Sequence, residues 1–136
     1  MSSAKTHIQS IVGGIEALGY TFTDEFFDFD NYPTSGDDEV YRMETRTGGV
    51  TGMSGSRVEK SKFFDIWFAF KLASGSDRQQ DTYDVLDAKE AVEDKIFDVL
   101  TGVQVKIHEN IQSAIKSDYI LVKLTGEFIY WRDLTT

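Results

Sequence analysis

Residues 62–72 alternate in hydrophobicity with a period of two. Phe64, Ile66, Phe68, Phe70 and Leu72 fall on one face, and Phe63, Asp65, Trp67, Ala69 and Lys71 on the other. Successive side chains of a strand point to opposite faces, so this stretch predicts a long strand with one face in a core. Its aromatic and β-branched content agrees. A helix would scatter the same five apolar residues around its circumference. The stretch is therefore expected to be the central strand of a sheet. Its second face is mixed, and Phe63 and Trp67 are too large to stand in water without a reason. Either a second layer of the same chain covers them or another molecule does.

A different period appears at two other places. Ile8, Ile11, Val12, Ile15 and Leu18 are spaced by three and four, which predicts a helix over residues 3–18. Ser2 or Ser3 is placed to cap its start, and Gly19 stands where it should stop. Gly13 and Gly14 weaken its middle, at about 1 kcal/mol each relative to alanine, so the helix is tightly packed or bent there. A second stripe, Val85, Ala88, Val92, Ile96, Val99 and Leu100 with Phe97 alongside, predicts a helix from a cap at Asp81 or Thr82 to about Leu100, with Gly102 as its stop. Its opposite face carries Asp84, Asp87, Glu90, Asp94 and Asp98 and should look toward solvent or a basic partner.

The remaining strands are shorter signals. Tyr41, Met43 and Thr45 alternate with Arg42, Glu44 and Arg46, giving a strand over 40–46 that is wet on one side. Residues 47–56 hold four glycines in ten positions and read as a mobile connection, so 40–72 is expected to form a long antiparallel hairpin with a flexible tip at about 47–56. Tyr20, Thr21 and Phe22 suit a short strand, followed by an aromatic and acidic loop that ends at Tyr32 and Pro33, a turn or edge entry. Val103, Val105 and Ile107 alternate weakly, and 111–116 suits a helical turn. Ile120, Val122, Leu124, Phe128 and Tyr130 mark a closing strand over 119–131, with Gly126 as a bulge or tight turn. The expected fold is a single α+β domain over 1–136, with two helices packed on one face of an antiparallel sheet of about four strands.

Composition narrows the function classes. A chain of 136 residues is long enough for one domain with a substantial core, and its ten Phe, six Tyr and two Trp argue against disorder throughout. No run of eighteen apolar residues is present, so no membrane span is expected, and residues 1–5 do not resemble an export signal. There is no cysteine, hence no disulfide, thiolate ligand or cysteine nucleophile, which fits a reducing compartment. The net charge of −9 opposes tight binding to nucleic acid.

Candidate chemistry was tested motif by motif. Asp28, Asp30 and Glu39 fall at positions 1, 3 and 12 of a calcium loop. Tyr32 and Pro33, however, occupy the places that need a side-chain oxygen and a glycine. The glycines of 48–55 lack the lysine-serine ending of a phosphate loop and precede a strand, not a helix. His7 and His108 are the only histidines, and no nucleophile-elbow or zinc spacing surrounds them. Asp65 suits pairing with Lys71, Arg42 or Arg46 better than a role in acid-base catalysis. No catalytic residue, metal ligand or cofactor is expected.

The order of elements, carried by Tyr32 and Pro33 leading into 40–46, the strand 63–72, the helix 86–100 and the closing strand 119–131, resembles the tail terminator proteins of long-tailed bacteriophages and their relatives in gene-transfer particles. The likeness is one of pattern and length over most of the chain, and 102–118 fits it least. It implies a structural virion protein, assembled in the host cytoplasm, that forms a homohexameric ring. Such a ring caps the tail tube and joins tail to head. The implied partners are other copies of the chain, the tail tube protein and head-tail connector proteins, with DNA passing through unbound and no membrane involved. A ring uses head-to-tail interfaces. Under this resemblance Phe63, Asp65, Trp67 and Lys71 are candidates for the subunit interface, and Arg46, Val50, Met53 and Arg57 for contact with the tube or lumen, unless the 47–56 tip is simply disordered. Two alternatives stand beside it: another head-tail connector or tail completion protein, and a small ligand-binding or hydrolytic protein with a pocket between helix and sheet that contains Asp65.

Overall fold

The computed structural model describes residues 3–73 and 75–134. In chain order the elements are α1 (Ala4–Ala17), β1 (Thr21–Phe22), β2 (Val40–Ser54), β3 (Arg57–Lys71), α2 (Arg78–Val99), β4 (Gln104–Gln112) and β5 (Tyr119–Asp133). The strands form one sheet in the order β1-β2-β3-β5-β4, so β3 is its centre, as its apolar pattern requires. The fold is α+β, but the sheet has five strands and is mixed where a purely antiparallel one of about four was expected. The extra direction comes from β1, which pairs parallel to β2 through Thr21 with Val40 and Phe22 with Tyr41. Parallel neighbours need a long crossover. Residues 23–39 provide it by passing across the back of the sheet.

Both helices pack on one face. Ile11 and Ile15 of α1 and Val85, Val92, Ile96 and Leu100 on the α2 side meet Phe64, Ile66, Phe68, Phe70 and Leu72, the five residues that the alternation assigned to the core. Ile120, Val122, Leu124, Phe128 and Tyr130 of β5 complete this layer. Ser3 caps α1 by accepting the Thr6 amide at 3.2 Å. Ser2, the other candidate cap, lies outside the described residues. Of the glycine pair in α1, Gly14 has a packing reason: a Cβ there would meet Lys95 Cγ at 3.0 Å and Val99 Cγ1 at 3.1 Å on α2, whereas one at Gly13 would meet nothing.

Three boundaries differ from expectation. Helix α2 begins earlier, at Arg78, because Asp77 and not Asp81 or Thr82 accepts the first free amides, those of Gln79 and Gln80. The β2–β3 ladder does not stop at Arg46. It runs through the glycine-rich stretch to Ser54 opposite Arg57, with register shifts between Thr47 and Gly49 and between Val50 and Gly52. Only Gly55 and Ser56 form the turn. Residues 111–116 contain no helical turn, since β4 continues to Gln112 against Val122. Gly126 is not a turn; it pairs with Phe64 on one side and with Ile107 on the other, where the β4–β5 ladder shifts register between Ile107 and Glu109.

The strands β2, β3 and β5 are each 15 residues, about 50 Å at the usual rise per residue. The residues at their far end, around Val50, Met53, Arg57 and Arg132, are exposed.

Candidate interaction surface

The face of the sheet away from the helices carries the residues singled out on the mixed side of β3, and it divides into a covered and an open half. In the covered half Trp67 joins a second, smaller core with Phe27, Val40, Ala69, Tyr119 and Leu121, against which Phe29 and Tyr32 pack. Phe29 stands 5.0 Å from the Trp67 ring. The strap is held by Arg42, whose Nε donates to the Phe27 carbonyl at 2.9 Å and whose Nη2 donates to the same oxygen. The guanidinium stacks between the rings of Phe26, at 4.6 Å, and Trp67, at 4.9 Å. Further along, the Tyr32 hydroxyl donates to the Ala114 carbonyl at 2.9 Å and the Tyr119 hydroxyl to that of Asp37 at 3.0 Å.

Of the two covers left open by the sequence, the same chain therefore supplies the one over Trp67. That residue is 7% exposed, which leaves a neighbouring copy little of its surface to touch. Phe27, Phe29 and Tyr32 were the residues that sequence reasoning missed. Their signal was the aromatic content of a stretch otherwise read as a loop.

The open half is a polar and aromatic row across four strands. Asp65 is buried and is the acceptor for Arg46, at 3.0 Å from Nε and 3.3 Å from Nη2, and for the Thr125 hydroxyl at 2.6 Å. Burial pushes the Asp65 carboxyl upward, but the hydrogen bonds from Arg46 and Thr125 and the charges of Arg46 and Lys123 outweigh it. Its pKa lies below the ordinary value. Arg46 also lies over Phe63 at 5.1 Å, and His108 stands on that ring at 5.8 Å while holding Glu127 at 3.0 Å. Phe63 is half-buried. Its pairing with Arg46 makes Asp65 a structural anion, tied down on two sides.

The other candidates are dispersed. Lys71, at the end of β3, lies over the Tyr119 ring at 5.0 Å. Val50 and Met53 sit at the far end of β2, 60% and 67% exposed. Arg57, at the tip, stacks on Trp131 at 5.1 Å and reaches Asp133 at 3.6 Å. On the helical side, Asp84, Asp87, Glu90, Asp94 and Asp98 of α2 are all exposed, together with Tyr83, Leu86 and Phe97.

Among the described residues, depressions open on the helical side. One of about 220 Å³ lies where Phe70 and Leu72 meet Val85 and Ala88 of α2. Asp38, Glu39, Asp81 and Asp84 line it as well; Asp65 is on the opposite face, so this is not the Asp65-bearing pocket of the ligand-binding or hydrolytic reading. Another, about 350 Å³, lies between Ala4 at the start of α1 and the β2–β3 arm, with Lys60, Lys62 and Tyr130 in its wall. Among the described residues no group of three or more His, Asp or Glu converges to hold a metal ion, and no helix is long and apolar enough to cross a membrane.

Comparison with known protein families finds no family model that matches the chain, and a search of curated proteins finds no match to it.

Proposed function

We propose that this chain is a structural virion protein, a tail terminator whose copies form a ring, hexameric by resemblance, that caps the tail tube and joins tail to head. The observation that carries the reading is the shape of the sheet. Three 15-residue strands extend to an end where large apolar side chains, Val50 and Met53, stand in solvent. A lone small domain rarely keeps such strands with exposed apolar residues at their ends, whereas a ring subunit covers them with neighbours or with the tube. The order of elements, from N-terminal helix through aromatic strap and long hairpin to the second helix and closing strand, agrees with the resemblance that 32–46, 63–72, 86–100 and 119–131 carry. Asp65 and His108 are held by side chains of neighbouring strands, which suits a framework.

The test is the mass of the purified chain by size exclusion with light scattering, followed by electron microscopy of the eluted species and addition of preformed tail tubes. A closed ring that binds one end of a tube is the expected result. A single-chain mass at tens of micromolar, with no binding to tubes, overturns it.

A further inference from the structure

We infer that neighbouring copies of this chain join edge to edge, the free edge of β2 in one copy pairing antiparallel with the free edge of β4 in the next. The inference rests on the ring reading and deepens it by naming the surface through which subunits meet.

Both edges are open among the described residues. Strand β1 covers only Val40 and Tyr41 of β2, and the Thr23 amide adds one bond to the Tyr41 carbonyl. From Met43 to Ser54 the side of β2 away from β3 has no strand beside it. At the opposite end of the sheet β4 is the last strand, bonded to β5 alone. A row of unpaired amides and carbonyls is a template for another strand, and isolated domains blunt it with lysine, proline or a covering element. Residues 47–54 hold no charged residue and no proline. Ile111 of β4 is 45% exposed. The two register shifts twist the outer half of β2, which is one way of guarding an edge, but they leave 43–47 in an unbroken ladder with β3.

Charge selects the occupant. At −9 per chain, copies repel one another unless they meet at neutral patches. Residues 43–54 contain one acid, Glu44, and one base, Arg46; residues 104–112 contain one acid, Glu109, and one base, Lys106. Each edge thus carries one acid and one base. The exposed face of α2, by contrast, presents five acids and would repel a second copy.

Direction selects the geometry. β2 is antiparallel to β3, β3 to β5 and β5 to β4, so β2 and β4 run in opposite senses. Copies related by rotation about an axis along the strands keep those senses, and the junction between them is antiparallel and heterologous.

The experiment uses the full chain in three forms. Through the ladders, residues 43–49 of β2 stand level with 104–110 of β4, so Thr45→Lys with Thr47→Lys guards the β2 edge, and Gln104→Lys with Glu109→Lys separately guards the β4 edge. All four positions are exposed in one chain, so folding is expected to be retained, which the unfolding midpoint checks. Each set is expected to convert the multimer to single-chain mass. Because the chain has no cysteine, pairs introduced on the two edges report adjacency directly. Glu44→Cys with Glu109→Cys, or Thr45→Cys with Ile107→Cys, the positions that the ladders place level with each other, is combined in one chain and oxidised. At least one combination is expected to give a covalent series ending at the ring number, while the single cysteines do not. A wild-type multimer that survives both lysine sets and cross-links in no combination overturns edge pairing and leaves the ring standing. A wild-type chain of single mass overturns both.

Discussion

Gly126 of β5 faces Phe64 of β3 across the ladder, and the Phe64 ring fills the place where any other residue would carry its Cβ. That atom would fall 2.3 Å from Phe64 Cζ. Gly126→Ala is therefore expected to destabilise the chain by about 1–3 kcal/mol through overpacking, as measured by denaturant unfolding. Phe64→Leu in the same chain should recover part of the loss. A double-mutant coupling below about 0.5 kcal/mol would show that the ring does not decide the choice of glycine.

Trp67 and Phe68 are adjacent in sequence and sit in different cores, one under the strap and one under the helices. Replacing either by alanine should cost about 3–5 kcal/mol, with Val50→Ala, at an exposed position, within about 0.5 kcal/mol of wild type as the control. A Trp67→Ala chain that keeps its unfolding midpoint but changes its state of association would move Trp67 from the monomer core to a boundary between copies.

Arg42 fixes the strap to the sheet. Arg42→Met keeps much of the side-chain volume but leaves the Phe27 carbonyl without its donors, and it should cost about 1–3 kcal/mol. In a Trp131→Phe background the remaining tryptophan, Trp67, is expected to shift its emission to the red as the strap loosens. An unshifted emission would mean that packing by Phe27 and Phe29 holds the strap without the arginine.

Two tyrosines make the fold sensitive to alkali. Burial, followed by the charge of Glu16 and the hydrogen bond to it, pushes Tyr41 up to about 12. Burial, with Glu39 and Asp38, pushes Tyr20 to about 12. An unfolded tyrosine ionises near 10, so the folded chain holds these protons more tightly. The stability they contribute is complete below pH 10 and is lost as pH rises from about 10 toward 12. Unfolding free energy should fall across that window, and less steeply in Tyr41→Phe. A wild-type curve flat to pH 12 would contradict the burial of both rings.

Much of the fold was legible because its central strand alternates without interruption. Phe64 to Leu72 fixed the face, and the stripes at Ile11 and Ile15 and at Val85, Val92 and Ile96 supplied the helices that cover it. What escaped has physical causes. The pairing of β1 is set by two residues, too few for a periodic signal. Residues 47–54 are strand because β3 offers them a continuous partner, a tertiary effect that overrides their glycine content. The strap over Trp67 was hidden because Asp28 and Asp30 separate its aromatic residues, so a covering layer looked like a solvated loop. Among the candidate residues, Arg46 was one of three partners that the sequence offered Asp65, beside Lys71 and Arg42, and the register selects it. The cover of Trp67 could not be chosen from the sequence, because an aromatic residue on the second face of a strand suits a neighbour and a strap equally well.

β3 has a strand paired on both sides from Arg57 to Ala69. A rod clamped along its whole length bends little, so force applied at the Gly55–Ser56 end arrives at the Phe68 end as tilt and not as local distortion. The hairpin is in this sense a lever, whose tip and helical layer stand some tens of ångströms apart.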